Sequence, residues 1–235
     1  MNAITTQNLT KRYKNKTAVD HINLEIPQGG LYALLGVNGA GKTTTIRMLS
    51  GLSAPTEGTA LVFGKDIRTE MKAIKSQIGI SPQDTAVAAN LTVEENLVFM
   101  AGILGKKDRV ETILKQFRLD EVRKCRAKTL SGGWQRKLSI AMALIGEPGI
   151  LFLDEPTLGL DVLARRELWK QIRDIKSDTT VILTTHYMEE AEALADRIGI
   201  MVSGRIVADG TLEQLEQQTG CTGLENVFVA IAEER

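Results

Sequence analysis

The chain has 235 residues, 43% hydrophobic and 25% charged, enough to bury a proper core and too apolar for a disordered tail. Its 29 Lys and Arg balance 29 Asp and Glu, so no global basic field draws nucleic acid or acidic lipid. No run approaches the ~18 apolar residues that cross a bilayer, and the first residues lack an apolar signal core. Cys125 and Cys221 form neither a metal spacing nor a disulfide framework, which fits a reducing cytosol.

The first part of the chain reads as short strands. Ile4–Arg12 and Ile22–Ile26 alternate loosely, and Pro27-Gln28-Gly29-Gly30 is turn chemistry. Leu31–Leu35 is a continuous apolar run, the pattern of a strand buried on both faces. A Gly-rich turn follows, then a predicted helix from Lys42 to Leu52. Thr59–Phe63 and Ile78–Ile80 are further strands.

From Asp84 to Gly146 the pattern turns helical. Val93, Leu97, Met100, Ala101 and Leu104 share one helix face. Helical pattern continues through Asp108–Phe117, and Leu138, Ala141, Met142 and Ile145 mark a third helix. Strands then return at Ile150–Leu153 and Val181–Leu183, with a helix between them carrying Leu168, Ile172 and Ile175 on one side. Ile198–Val202 and Arg205–Ala208 are joined by Ser203-Gly204 in a hairpin-like turn. Strands separated by helices imply an α/β fold, a parallel sheet with helices on its faces.

Chemistry concentrates at three places. Gly36-Val37-Asn38-Gly39-Ala40-Gly41-Lys42-Thr43 fits G-x-x-x-x-G-K-[ST], with an apolar strand before it and a helix after it. Its glycines leave backbone N–H groups free to surround phosphate oxygens, and the helix start adds its positive dipole end. Lys42 should reach the β and γ phosphates, and the Thr43 hydroxyl should ligate Mg²⁺. Alone, this motif leaves kinase, GTPase, ATPase and transporter open. Ile150–Pro156 puts Asp154 and Glu155 at the end of an apolar strand, where open α/β sheets bind ligands. Asp154 is a candidate Mg²⁺ anchor beside Thr43. Glu155 is a candidate general base for an attacking water, which argues for hydrolysis. Leu130-Ser131-Gly132-Gly133-Trp134-Gln135 precedes an amphipathic helix, with Ser131 at a capping position. On residues alone, it is either a second phosphate-binding helix start or an ordinary capped helix.

Taken together, these motifs resemble the nucleotide-binding domain of an ATP-binding cassette (ABC) transporter over nearly the whole chain. The order is the family's: the phosphate loop at Gly36–Thr43, Gln83 in IGISPQD, LSGG at Leu130–Gly133, ILFLDEP at Ile150–Pro156, GLD at Gly159–Asp161, and TTH ending at His186. The resemblance implies a P-loop NTPase fold: a RecA-like parallel sheet core with an N-terminal antiparallel β subdomain and an inserted α-helical subdomain. It implies one nucleotide-binding domain, with core 1–83 and 147–220, helical part 84–146 and tail 221–235.

The same resemblance implies the cofactors and the site. ATP and Mg²⁺ would be held by the loop from Gly36 to Thr43 with Thr44, and the metal by Thr43, Gln83 and Asp154. Two cassettes, copies or homologues, would pair head to tail, with Ser131, Gly132 and Gly133 of one contacting the γ-phosphate held by the other. Asp161 would lie at that interface. His186 would contact the γ-phosphate and help hold Glu155 and the water. Gln83 would sense the metal and the water and link the site to a membrane partner. Tyr13 would stack on adenine, with Val19 lining the same side. The loop departs from the family's frequent Pro at Val37, and the signature from its commonest Gln at Trp134.

The chain carries one cassette and no membrane span, so a separate integral membrane permease is expected to hold it at the cytoplasmic face of the inner or plasma membrane, with no nucleic acid partner. Leu224–Ile231 is similar to the L-E-x-x-F tail of bacterial drug, ion and lipid-linked exporter cassettes, which favours export. The alternative class is a non-transport ABC ATPase acting on ribosomes or DNA. Its chromosome and repair members insert long coiled coils between the glutamine and the signature, and the span from Gln83 to Leu130 is too short for that. A GTPase is disfavoured because the chain has no N-K-x-D motif.

Overall fold

The computed structural model describes residues 1–233. In chain order it contains β1 (Asn2–Tyr13), β2 (Lys16–Ile22), β3 (Glu25–Pro27), β4 (Leu31–Leu35), α1 (Lys42–Leu49), β5 (Glu57–Val62), β6 (Lys65–Asp66), α2 (Met71–Lys75) and β7 (Ile78–Ser81). Then come α3 (Val93–Leu104), α4 (Val110–Gln116) and α5 (Gly132–Leu144), with short 3-10 turns between them and no strand until β8 (Ile150–Asp154). The rest is α6 (Val162–Ile175), β9 (Thr180–Thr185), α7 (Met188–Leu194), β10 (Arg197–Val202), β11 (Arg205–Gly210), α8 (Leu212–Thr219) and α9 (Leu224–Glu233). Positions 234 and 235 of the expected tail lie outside the described residues.

The described strands form two sheets. One runs β2-β1-β5-β6, with β3 also on β1, and its pairings are antiparallel. The other runs β11-β10-β4-β9-β8-β7. Its pairings are parallel except for the closing hairpin of β10 and β11. The continuous apolar runs of β4, β8 and β9 place these strands at the centre, where both faces are covered.

Strand alternation divides the core in two. Leu31, Ala33 and Leu35 of β4 join Leu151, Leu153, Val181 and Leu183 against the later helices. Tyr32 and Leu34, with Ile150, Phe152 and Ile182, face the other way, toward Ile46 and Leu49 of α1 and the antiparallel sheet. Successive side chains of a strand point to opposite faces, so one short run feeds both cores.

Local chemistry sets several boundaries differently from the sequence pattern. The run Ile22–Ile26 is not one strand: β2 ends at Ile22 and β3 begins at Glu25. Side-chain bonds interrupt the ladder there, with Thr6 Oγ1 donating to Ile22 O and accepting from Leu24 N. β2 escaped the reading because its mostly polar sequence buries only Val19 and Ile22 fully. The first helix stops at Leu49, short of Leu52, because Gly51 adopts a positive φ and turns its N–H onto Met48 O.

Candidate active site

The site gathers at the carboxyl ends of β4, β8 and β9, a cleft of about 510 Å³. The loop after β4 is shaped by backbone crowding. A Cβ at Gly36 would lie 2.4 Å from Met201 O, and one at Gly41 2.4 Å from Ala18 O. Gly41 also holds φ at 113°, a conformation that penalises side-chain-bearing residues. The chain thus turns sharply into α1, whose first N–H groups have no acidic side chain or cap bond to satisfy them.

Lys42 is 5% exposed, and its ammonium donates to Gly36 O at 2.7 Å and Val37 O at 3.2 Å. It also lies 3.1 Å from Glu155 Oε1. Glu155 is equally buried, and its second oxygen, Oε2, sits 2.6 Å from His186 Nδ1. The catalytic carboxyl expected from sequence is therefore held between a lysine and an imidazole. Beside it, Thr43 Oγ1 donates to Asp154 Oδ1 at 3.0 Å. Thr184 Oγ1 donates to the same Asp154 oxygen at 2.6 Å and accepts the Glu155 N–H at 3.1 Å. Glu155 itself has φ of 49°, which breaks the strand's alternation and lets neighbouring acids serve one cleft.

Tyr13, Asn38, Gly39, Gly41, Lys42, Thr43, Thr44, Gln83, Glu155 and His186 all line the cleft. Tyr13 is 44% exposed, with Lys11 Nζ 5.1 Å from its ring centre. Val37 faces solvent, and the Ala40 side chain is buried.

The expectation for Val19 is corrected. It is fully buried in the core on the antiparallel-sheet side. Its neighbour Ala18 lines the cleft instead, because consecutive residues of β2 face opposite ways. Lys16 and Leu158 also line it, and neither stands in a motif.

Ser131, Gly132, Gly133 and Asp161 do not border this cleft. Ser131 sits at the N-cap of α5 as expected, but its side chain makes no capping bond. It is exposed. A Cβ at Gly133 would touch Ala164 Cβ at 3.4 Å, so the second glycine motif lies against the start of α6. There Asp161 caps α6, its Oδ1 accepting from Leu163 N and Ala164 N at 2.9 Å each. Sequence reasoning also missed Arg136. This buried α5 residue donates to Pro82 O and Gln83 O at 2.7 Å each, bracing the helix of one motif against the glutamine of another.

The sequence profile of ABC transporters matches residues 19–158, more than half of the chain. The chain belongs to the ABC transporter family. Among relatives, it is 42% identical over 224 residues to the daunorubicin/doxorubicin resistance ATP-binding protein DrrA of Streptomyces peucetius. That match covers 93% of this chain and 68% of DrrA. It is 39% identical to the probable multidrug ABC transporter ATP-binding protein YbhF of Escherichia coli, over 92% of this chain and 38% of YbhF. It is 41% identical to the human retinal-specific phospholipid-transporting ATPase ABCA4, but spans only 9% of that protein.

Solved ABC structures agree with the fold. An ATP-binding subunit of an ABC transporter superposes with a TM-score of 0.87 at 28% identity, covering 98% of this chain and 99% of that one. A dimeric cassette in a post-hydrolysis state bound to ADP and Pi gives 0.80 at 26% identity, covering 89% and 98%. This chain is accordingly the ATP-binding, ATP-hydrolysing cassette of an ABC transporter.

Proposed function

We propose that this cassette drives export through a separate permease, working head to tail with a second copy or a homologous subunit at the cytoplasmic face of the membrane. The carrying observation is Glu155, placed between Lys42 at 3.1 Å and His186 at 2.6 Å on the floor of the cleft. Kinship with DrrA and YbhF, named for drug resistance and multidrug transport, supports export. The dimeric structural relative supports pairing.

The roles follow from the chemistry of each group. The loop N–H groups and Lys42 bind the phosphates, and Tyr13 offers its exposed face to the base. Phosphate oxygens compete for the Lys42 ammonium and draw it off Glu155 Oε1. That oxygen is then free to take a proton from the attacking water, while His186 Nδ1 keeps the carboxyl oriented through Oε2. Among the described residues, no group of three or more His, Cys, Asp or Glu could hold a metal alone. Mg²⁺ asks for less, because it retains waters and takes phosphate oxygens. The hard oxygens of Thr43 and Asp154, already 3.0 Å apart, fit it, with Gln83 beside them. When bound, the ion neutralises charge that builds on the phosphates.

Ser131, Gly132 and Gly133 of one subunit face the γ-phosphate held by the other, with Asp161 alongside. Residues 1–83 and 147–220 act as the nucleotide core, 84–146 as the helical arm and 221–235 as the closing tail. No helix of the described residues is long and apolar enough to cross a membrane. The permease docks at an apolar cleft of about 350 Å³ lined by Leu52, Ile78, Ile80, Met100, Leu104 and Met142. Its β7 wall leads directly to Gln83.

The deciding experiment is Glu155→Gln in the native membrane complex. Turnover should fall by ~10²–10⁴-fold, the usual worth of a positioned base. ATP binding should survive and the paired state should accumulate on size-exclusion chromatography. Wild-type hydrolysis by this variant would move the base elsewhere. Loss of the permease from pull-downs of a Met100→Asp variant would support the docking cleft.

A further inference from the structure

Tyr187 stands at the N-cap of α7 with extended backbone, a position usually given to Ser, Thr, Asp or Asn, and its side chain makes no capping bond. Local structure therefore does not account for an aromatic residue there. The ring lies instead against its neighbour: the centres of the Tyr187 and His186 rings are 4.1 Å apart, with the planes tilted by 38°. In a regular strand, consecutive side chains point to opposite faces. Here β9 has ended at Thr185, and the Thr185 hydroxyl accepts the Tyr187 N–H at 3.0 Å, turning the chain so that the two rings meet.

A second support comes from α6. The guanidinium carbon of Arg165 lies over the Tyr187 ring, 5.0 Å from its centre. Arg165 Nε is buried and, among the described residues, has no hydrogen-bond partner. Its Nη1 is 3.7 Å from Glu189, a carboxylate whose side chain is 81% exposed and so screened by water. That ion pair does not account for turning a cation inward, because burying an unpaired N–H is unfavourable. The face of the aromatic ring is the compensating partner, and its attraction for a cation grows as water is removed.

His186 Nδ1 is 2.6 Å from Glu155 Oε2. One bond at one ring atom sets a distance but leaves the imidazole free to turn about it. Contact along the ring face removes that freedom, and a tyrosine ring supplies it with only two side-chain torsions of its own to order. We propose that Tyr187 is a positioning residue: its ring, backed by Arg165, holds the plane of the His186 imidazole and so keeps Nδ1 aligned on Glu155. The proposal rests on the reading of Glu155 as the base, and its claim about the imidazole can be tested apart from turnover.

The chain has two histidines, His21 and His186. His21 holds φ at 49°, which Asn tolerates, so a His21→Asn background leaves His186 as the single source of imidazole signals. Four untagged full-length chains are compared in that background: the parent, Tyr187→Leu, Tyr187→Phe and Arg165→Met. Each is read by the ¹⁵N shifts of the imidazole, which report the bond from Nδ1 to Glu155, and by ATP hydrolysis at a concentration where the parent turns over. Tyr187→Leu removes the ring and keeps an apolar side chain. It should move the His186 nitrogen signals and lower kcat by about 10-fold, less than the ~10²-fold cost of an ångström of misplacement. The KM for ATP should stay at the parental value. Tyr187→Phe keeps the ring and should restore both readouts. Arg165→Met should give a smaller change of the same kind.

Parental kcat in Tyr187→Leu overturns the proposal, as does a loss of kcat with unmoved nitrogen signals or a loss confined to KM. A Phe variant as impaired as the Leu variant also overturns it, because the effect would then belong to the hydroxyl. Parental behaviour of Arg165→Met beside an impaired Leu variant overturns the backing by Arg165. If thermal melting shows that Tyr187→Leu does not fold, Arg165→Met decides, and parental kcat there overturns the whole. Glu155→Gln, run alongside, separates the two readings. Wild-type turnover in that variant would remove the base assignment, while the nitrogen signals still test whether Tyr187 holds the imidazole.

Discussion

Two glycine-rich helix starts in this molecule are built on opposite plans. At the first, Lys42, Asp154 and Glu155 are buried, and each polar group finds partners within the chain. At the second, Ser131 is exposed and its hydroxyl caps nothing, although it stands where a capping serine belongs. The first has its buried charged side chains paired within the chain. The second leaves the N–H groups of α5 turned outward, a favourable place for an anion brought by another molecule. The difference teaches that two similar glycine motifs in one chain can differ in whether their polar groups close on the chain or stay open to solvent.

The comparison can be broken most severely at the first site. Lys42→Ala should remove hydrolysis to background and weaken ATP binding, because the one ammonium shared by Gly36 O, Val37 O and Glu155 is lost. ATPase assays with nucleotide titration check both effects, and full activity would disprove the loop assignment. Ser131→Arg should be nearly as damaging to turnover but leave ATP affinity of the single subunit close to normal. A rate that stays linear in enzyme concentration down to monomeric solutions would show that the second motif acts alone.

Smaller changes sharpen the contrast. Tyr13→Ala should weaken ATP binding by ~1–3 kcal/mol, the range for a base stacked on an aromatic ring, and Tyr13→Trp should be tolerated. Equal affinity in the alanine variant would place the base elsewhere in the cleft. The mildest effect belongs to Asp161→Ala. Its carboxylate caps α6 within the chain, so thermal unfolding without nucleotide should show a loss of ~0.5–2 kcal/mol. An unchanged melting curve would show that this cap does not stabilise the single subunit.

What was legible in the sequence follows the range of the interactions involved. The phosphate loop could be read because its constraints are local: a tight turn, a lysine and a helix start within a few residues. β4, β8 and β9 could be read because burial on both faces demands continuous apolar residues. The polar strand β2 could not, and that failure put Val19 on the cleft wall when Ala18 lines it. The short helices α2 and α7 gave too little periodicity to register. Arg136 and Arg165 were silent for another reason. Each acts on backbone or side chains far away in sequence, and nothing in their immediate neighbours marks the contact.

One hydroxyl gives the cleft its mechanical character. Thr184 Oγ1 takes the Glu155 N–H and donates to Asp154, which in turn receives Thr43 from α1. The ends of β8 and β9 and the start of α1 are thereby bolted together like a fixed jaw. Tyr13 and Gln83, which line the same cleft, stand exposed and outside this network. Gln83 is gripped through its carbonyl by Arg136. Through Arg136, the Gln83 backbone is tied instead to α5, the helix that Ser131 begins.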